Sequence, residues 1–185
     1  MKIIWASNSP RRKELLKGLD IDFEVRVADG IDESHPDTLP TCEVAEFIAR
    51  KKAAAYDIAD NELLITADTV VVTGNETLGK PRDEQDAKRM LNLLSGKTHQ
   101  VITGCCLRTN KKTKSFSVVT DVTFKKLLPN EIDYYIAHYK PLDKAGAYGI
   151  QEWIGYIGVT GLNGSYFNVM GLPIQRIYEA MSEFA

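Results

Sequence analysis

A chain of 185 residues has the length of one compact domain, or of two lobes sharing a core. Its composition, 44% apolar and 26% charged, is that of a globular protein and excludes a disordered or collagen-like chain. The 23 Lys and Arg against 25 Asp and Glu leave a formal net charge of −2, so no overall field draws nucleic acid or an anionic membrane. Any phosphate must be held by local placement.

In chain order, Lys2 to Ala6 reads as a short apolar strand. Ser9 before Pro10 marks a helix start, with serine as cap and proline in the first turn, and Leu15, Leu16 and Leu19 supply the buried stripe of the helix that follows. Ile21 to Leu39, rich in Asp, Glu and Pro, is expected as a loop or irregular strand. A second amphipathic helix is predicted from about Cys42 to Tyr56, with Val44, Phe47, Ile48 and Ala55 on one face. Leu63 to Ile65 and Val70 to Thr73 form two strand segments joined through residues 66–69, with a tight turn at Gly74-Asn75.

Asp83 caps a predicted third helix, Glu84 to Leu94. A hairpin is expected next: Gln100 to Thr109, a basic turn Asn110 to Lys114, then Ser115 to Lys125. Helices over about Asn130 to Tyr139 and Pro173 to Phe184 flank a glycine-rich region of short strands. Alternating helices and strands with a central antiparallel hairpin point to an α/β class, a mixed sheet with helices packed on it.

Cys42, Cys105 and Cys106 form no disulfide framework, because the count is odd and adjacent strand residues face opposite sides; they read as buried, reduced thiols. The apolar N-terminal stretch is too short for a signal h-region, and a cytoplasmic location is expected. Trp153 to Gln175 is uncharged, but five glycines, two asparagines and Pro173 break it, so no membrane span is expected.

Four groups of residues could carry chemistry. Ser7-Asn8-Ser9-Pro10-Arg11-Arg12 stands where a strand gives way to a helix N-terminus, and two hydroxyls with two guanidiniums suit a phosphate. The other reading is a serine cap followed by two surface arginines. Asp68 interrupts an apolar strand, and burying its carboxylate unpaired would cost several kcal/mol. It is therefore either satisfied by amides at a strand end or lines a cleft. Among the lysines, Lys51 reads as a solvated helix face, whereas Lys80 stands as a point charge between Gly79 and Pro81. Asp29, Asp32 and Glu33 form an acidic loop cluster able to offer a hard-cation ligand, though such clusters are more often solvated. No zinc-ligand spacing surrounds His35, His99 or His138, and no Gly-x-Ser-x-Gly elbow is present.

These blocks, together with Ala49-Arg50-x-Lys52-Ala53, Ala67-Asp68-Thr69, Gly79-Lys80-Pro81, Leu94-Ser95-Gly96-x-Thr98-His99, Asp143 to Gln151 and Gly171-Leu172-Pro173, occur in an order that resembles the Maf family of nucleoside triphosphate pyrophosphatases over essentially the whole chain. The resemblance implies a single domain, residues 1–185, with a mixed twisted sheet, two lobes and a deep cleft similar to the inosine triphosphate pyrophosphatase (Ham1) fold. It implies hydrolysis of a nucleoside triphosphate to monophosphate and pyrophosphate, assisted by Mg²⁺ or Mn²⁺. The family's catalytic carboxylate falls on Asp68 as proton acceptor. Its phosphate-binding and metal-site positions fall on Ser7, Arg12, Glu33, Lys52 and Lys80; Ser9 completes the phosphate grip, and Glu33 and Asp68 would hold the metal.

Arg11, Thr69 and Gln151 match the branch of the family acting on dTTP and UTP, where another branch carries Trp, Gln and Glu. A glutamine amide pairs with the carbonyl and N3–H of uracil or thymine, and when flipped with cytosine, so something must lock its orientation. Many relatives continue with Gly after the glutamine, whereas this chain has Glu152-Trp153. The expected partners are a nucleoside triphosphate as substrate and a second copy in a homodimer, with no nucleic acid and no membrane. The rival reading that the resemblance carries is a nucleotide-binding regulator of cell division and septum formation.

Overall fold

A computed structural model describes residues 1–184. Seven strands form one mixed sheet in the order β2-β1-β3-β5-β6-β7, with β4 paired to β3. They are β1 (Lys2–Trp5), β2 (Phe23–Val25), β3 (Glu62–Thr73), β4 (Glu76–Leu78), β5 (Thr98–Arg108), β6 (Thr113–Phe124) and β7 (Val159–Asn163). Seven helices accompany them: α1 (Pro10–Lys17), α2 (Val44–Ala54), α3 (Glu84–Leu94), α4 (Pro129–Tyr139), α5 (Trp153–Gly158), α6 (Tyr166–Val169) and α7 (Ile174–Ser182). Among these helices none is long and apolar enough to cross a membrane.

The chain divides into two compact units. The first comprises residues 1–68, 103–118 and 171–185, the second residues 69–102 and 119–170. The first has two apolar clusters. Trp5, Leu16, Leu63, Ile65, Cys105, Leu107, Leu172 and Ile177 make one, and Ile4, Ala49, Ala53, Tyr56, Leu64 and Cys106 the other. Consecutive residues of β1, β3 and β5 thus feed different clusters, as the two-residue period of a strand covered on both faces requires. The second unit has its own core, in which Leu91, Leu94, Val122, Phe124, Ile132, Tyr135 and Ile154 are buried.

Several expectations need correction. The two strand segments around Asp68 are one continuous twelve-residue strand, β3. Asp68 therefore lies inside a strand, half-buried, rather than in a connection, and the Gly74-Asn75 turn leads into β4, which was not foreseen. The second predicted helix begins as a 3₁₀ turn, Thr41–Glu43. The glycine-rich region holds two short helices, α5 and α6, and a single strand, β7, rather than a series of short strands; Gly155 and Gly158 sit within α5. Cys42 is exposed, while Cys105 and Cys106 are buried; burial pushes the Cys106 thiol up to about 11.

Helix α2 lies close on β5 because Gly104 lacks a side chain: a Cβ there would stand 2.2 Å from the Glu46 amide nitrogen and 2.3 Å from the Ala45 carbonyl carbon. Thr66 adds a hydrogen bond from its hydroxyl to the Ala49 carbonyl, 2.6 Å. Since the obstacle is helix backbone, Gly104→Ala is expected to destabilise the protein by about 3 kcal/mol, the upper end of overpacking costs. It should also lower activity by shifting α2. Urea denaturation midpoints with a turnover assay check both effects.

In the second unit His99 is buried against Phe124 and Tyr148, with ring centroids 5.1 and 5.4 Å away, and its Nε2 lies 2.6 Å from the Tyr148 hydroxyl. Burial lowers its pKa from 6.5 to about 4. The unfolded chain therefore takes up a proton that the folded chain refuses. The His99 contribution is complete above pH 6.5 and is lost progressively as pH falls through 4, by about 3 kcal/mol in all. Between pH 7 and 4.5 the wild type should lose stability that His99→Phe does not lose, measured as denaturant midpoints at the two pH values. Glu62, held at about 2 chiefly by hydrogen bonds from Arg26, acts only below that window.

Candidate active site

Strands β1, β2 and β3 run parallel, with Trp5 registered on Val25 and on Ile65. The Ala6 amide still bonds to the Ile65 carbonyl, and the Arg26 amide to the Trp5 carbonyl. Three segments therefore leave or continue past the same sheet end: Ser7–Arg12 after β1, the loop 26–40 after β2, and residues 66–68 of β3. The carboxyl ends of parallel strands are where open α/β sheets bind ligands.

After β1, the Ser7 hydroxyl oxygen accepts the Ser9 amide at 3.2 Å, and the Ser9 hydroxyl oxygen accepts the Arg12 amide at 3.4 Å. Pro10 occupies the first turn of α1. Ser9 is thus the helix cap, and with their oxygens engaged both hydroxyls keep a proton to donate. Arg12 is not a plain surface arginine. Its Nε donates to the Gly171 carbonyl at 2.7 Å and its Nη1 to the Ala67 carbonyl at 3.3 Å. Burial lowers its pKa, and the neighbouring Asp68 carboxylate raises it; a guanidinium stays charged throughout.

Two neighbouring lysines late in α2 hold the acidic loop. Lys51, expected on a solvated face, bonds to Asp32 at 2.5 Å and to the Ser34 carbonyl at 3.0 Å. This contact holds the Asp32 carboxyl well below the usual carboxylate range. Lys52, with 14% of its side chain exposed, lies 2.7 Å from Asp68 Oδ1 and 3.0 Å from Glu33 Oε1. Asp68 is 13% exposed, and Lys52 is the one donor to its carboxylate among the described residues. One ammonium thus joins two carboxylates beside a pinned guanidinium. Of the acidic loop cluster, only Glu33 reaches this point, because Asp32 is spent on Lys51.

No three His, Cys, Asp or Glu side chains gather as a metal set among the described residues. Two carboxylates that converge on one cation, completed by phosphate oxygens and water, are nonetheless an ordinary donor set for Mg²⁺ or Mn²⁺, which seldom take an all-protein cage. Glu33 and Asp68 fit that group.

Three expected site residues belong to the second unit. Thr69 follows Asp68 along β3 and is half-buried. Lys80 is exposed and makes no ion pair among the described residues; the Gly79 carbonyl before it accepts the Gly146 amide, fixing the backbone there. Gln151 follows a 3₁₀ turn, Ala145–Ala147, and its Oε1 is buried without a hydrogen-bond partner among the described residues. An acceptor left in this way costs free energy unless a ligand donor meets it. The carbonyls of Ala67 and Gly171 were not foreseen as guides for Arg12, since main-chain acceptors leave no mark in side-chain spacing.

A seven-stranded mixed sheet flanked by helices, with a cation–carboxylate cluster at the end of its parallel strands, places the protein in the Ham1 fold class. The Staphylococcus aureus Ham1 protein superimposes with a TM-score of 0.56 at 16% identity, covering 99% of this chain and 98% of that one. A HAM1 protein from Coxiella burnetii does so at 0.51 and 14%, covering 99% of each. The chain belongs to the Maf family: the family model described as Maf-like protein matches residues 2–184. It is 60% identical over 184 residues to the dTTP/UTP pyrophosphatase of Phocaeicola vulgatus, covering 98% of this chain and 95% of the relative. It is 57% identical over 185 residues to that of Parabacteroides distasonis, covering 99% and 96%. The dTTP/UTP pyrophosphatase of Flavobacterium psychrophilum is 53% identical over 179 residues, covering 96% and 91%.

Proposed function

We propose that this protein is a nucleoside triphosphate pyrophosphatase that hydrolyses dTTP and UTP to the monophosphate and pyrophosphate. The observation that carries the reading is the Lys52 ammonium shared between Asp68 and Glu33, 2.7 and 3.0 Å away. A triphosphate with its divalent cation needs fixed charges of both signs at one point, and this cluster offers them.

In this reading water attacks the α-phosphorus, the bond from that phosphorus to the bridging oxygen breaks, and pyrophosphate leaves with the bridging oxygen. The Asp68 carboxylate accepts the water's proton. Negative charge grows on the α-phosphoryl oxygens and the leaving group, so Arg12 and Lys52, with the Ser7 and Ser9 hydroxyls, supply charge and donors held in place before the reaction, and a further positive charge is assigned to Lys80. Glu33 and Asp68 would hold Mg²⁺ or Mn²⁺, which supplies Lewis-acid polarisation of phosphate oxygens and acidifies a bound water. Arg12 reaches its task without reorganisation because two carbonyls already fix its plane. Base choice is assigned to Arg11, Thr69 and Gln151, the unpartnered Gln151 Oε1 accepting the N3–H of uracil or thymine.

Purified protein incubated with UTP, dTTP, CTP, GTP and ATP in the presence of Mg²⁺ or Mn²⁺, with products separated by anion exchange, tests this. Monophosphate and pyrophosphate from UTP and dTTP in preference to the others are expected. Diphosphate and phosphate would move cleavage to the other anhydride, and tight binding without turnover would favour the regulator.

A further inference from the structure

Within the second unit, the segment carrying Gln151 is clamped by one carboxylate. Glu152 Oε1 lies 2.9 Å from the Lys144 ammonium, and Glu152 Oε2 accepts a hydrogen bond from the Tyr135 hydroxyl at 2.7 Å. That hydroxyl in turn accepts the Gly149 amide at 3.0 Å, and the Glu152 amide donates to the Gly149 carbonyl at 3.0 Å, closing the turn. Lys144 is 8% and Tyr135 0% exposed. Burial and the facing Glu152 carboxylate keep the Tyr135 phenol protonated, so it remains a donor. No slack is left around the turn: a Cβ on Gly149 would meet Lys144 Cε at 3.0 Å and Glu152 Cδ at 3.1 Å.

On the far side, Trp153 packs against Tyr134 of α4 at 4.7 Å between centroids, so Gly149 before Glu152 and Trp153 after it are both tied to the helix that carries Tyr135. A buried ion pair is a poor source of net stability, since desolvation offsets most of its attraction. What it does supply is a fixed geometry. We propose that Glu152, held by Lys144 and Tyr135, is a positioning residue that fixes the turn bearing Gln151 and thereby the orientation of the amide that discriminates among bases.

This inference rests on Gln151 reading the base. The relative kcat/KM for UTP, dTTP, CTP and GTP is measured for wild type, Gln151→Ala, Glu152→Gln, Tyr135→Phe and the double variant Gln151→Ala/Glu152→Gln, with near-ultraviolet circular dichroism as the check on folding. Expected is a loss of UTP-over-CTP preference of roughly ten- to hundredfold in Gln151→Ala, and a comparable loss in Glu152→Gln and Tyr135→Phe, as misplacement of a reading group produces. The preference should not fall further in the double variant, because the Glu152 effect passes through Gln151. Activity falling by one factor on all four nucleotides in Glu152→Gln and Tyr135→Phe, with Gln151→Ala still flattening preference, overturns the positioning role and leaves base reading intact. Unchanged preference in Gln151→Ala overturns both.

Discussion

Asp68→Asn is expected to bind UTP almost as wild type does while its kcat falls by ~10²–10⁴, the range for loss of a general base. The amide keeps the shape of the carboxylate, and its oxygen can still accept the Lys52 hydrogen bond seen at 2.7 Å. What disappears is the proton acceptor and the negative charge. Affinity should hold because phosphate binding is assigned to Arg12, Lys52, Lys80 and the two serines, none of which is altered. Single-turnover rates with saturating UTP, set beside equilibrium binding of a non-hydrolysable analogue, check this. Near-wild-type turnover would remove Asp68 from the chemistry.

Lys52→Met is expected to separate two properties that ordinarily move together. The ammonium lies within 3.0 Å of both carboxylates, so its removal leaves two negative charges without the cation that joined them. Mn²⁺ binding to the nucleotide-free protein should tighten, because the repulsion is relieved by the metal and the competing ammonium is gone. Turnover should nevertheless drop by ~10²–10³, the cost of deleting one fixed donor from a transition state rich in charge. Calorimetric titration with Mn²⁺ and steady-state kinetics at saturating metal check the pair of effects. Weaker metal binding in the variant would mean that Glu33 and Asp68 do not share a cation.

The parts of this molecule that were legible in the sequence are those governed by local rules. Ser9-Pro10 announced α1 and Asp83 capped α3, and the Ser7–Arg12 segment stood out because hydroxyls and guanidiniums cluster at a strand-to-helix junction. The acidic loop was visible as a cluster, but its division of labour was not. Asp32 and Glu33 are adjacent, as are Lys51 and Lys52, and only the packing of α2 decides that the first pair braces the loop while Lys52 turns to Asp68. Residues 66–69 read as a connection because Asp68 is a poor strand former. Pairing within the sheet, where β3 lies between β1 and β5, overrides that preference, and an ammonium satisfies the carboxylate. Gly104 and the Tyr135–Glu152–Lys144 clamp were invisible for the same reason: their meaning lies in atoms from distant parts of the chain, and no spacing rule joins residue 104 to residue 46.

The order of residues in the two units sets the order in which they can be finished as the chain is synthesised. The second unit has all its segments once residue 170 has emerged, whereas the first, begun earlier, still lacks residues 171–185. Those last residues bring Leu172, Ile177 and Ala180 into the cluster around Trp5, and the Gly171 carbonyl that fixes the Arg12 guanidinium. Part of the apolar face of the N-terminal strand and helix therefore stays uncovered until then, a period when chains are prone to aggregate. A chain ending at residue 170 would have the segment that carries Gln151 but not the Gly171 carbonyl that holds the Arg12 guanidinium.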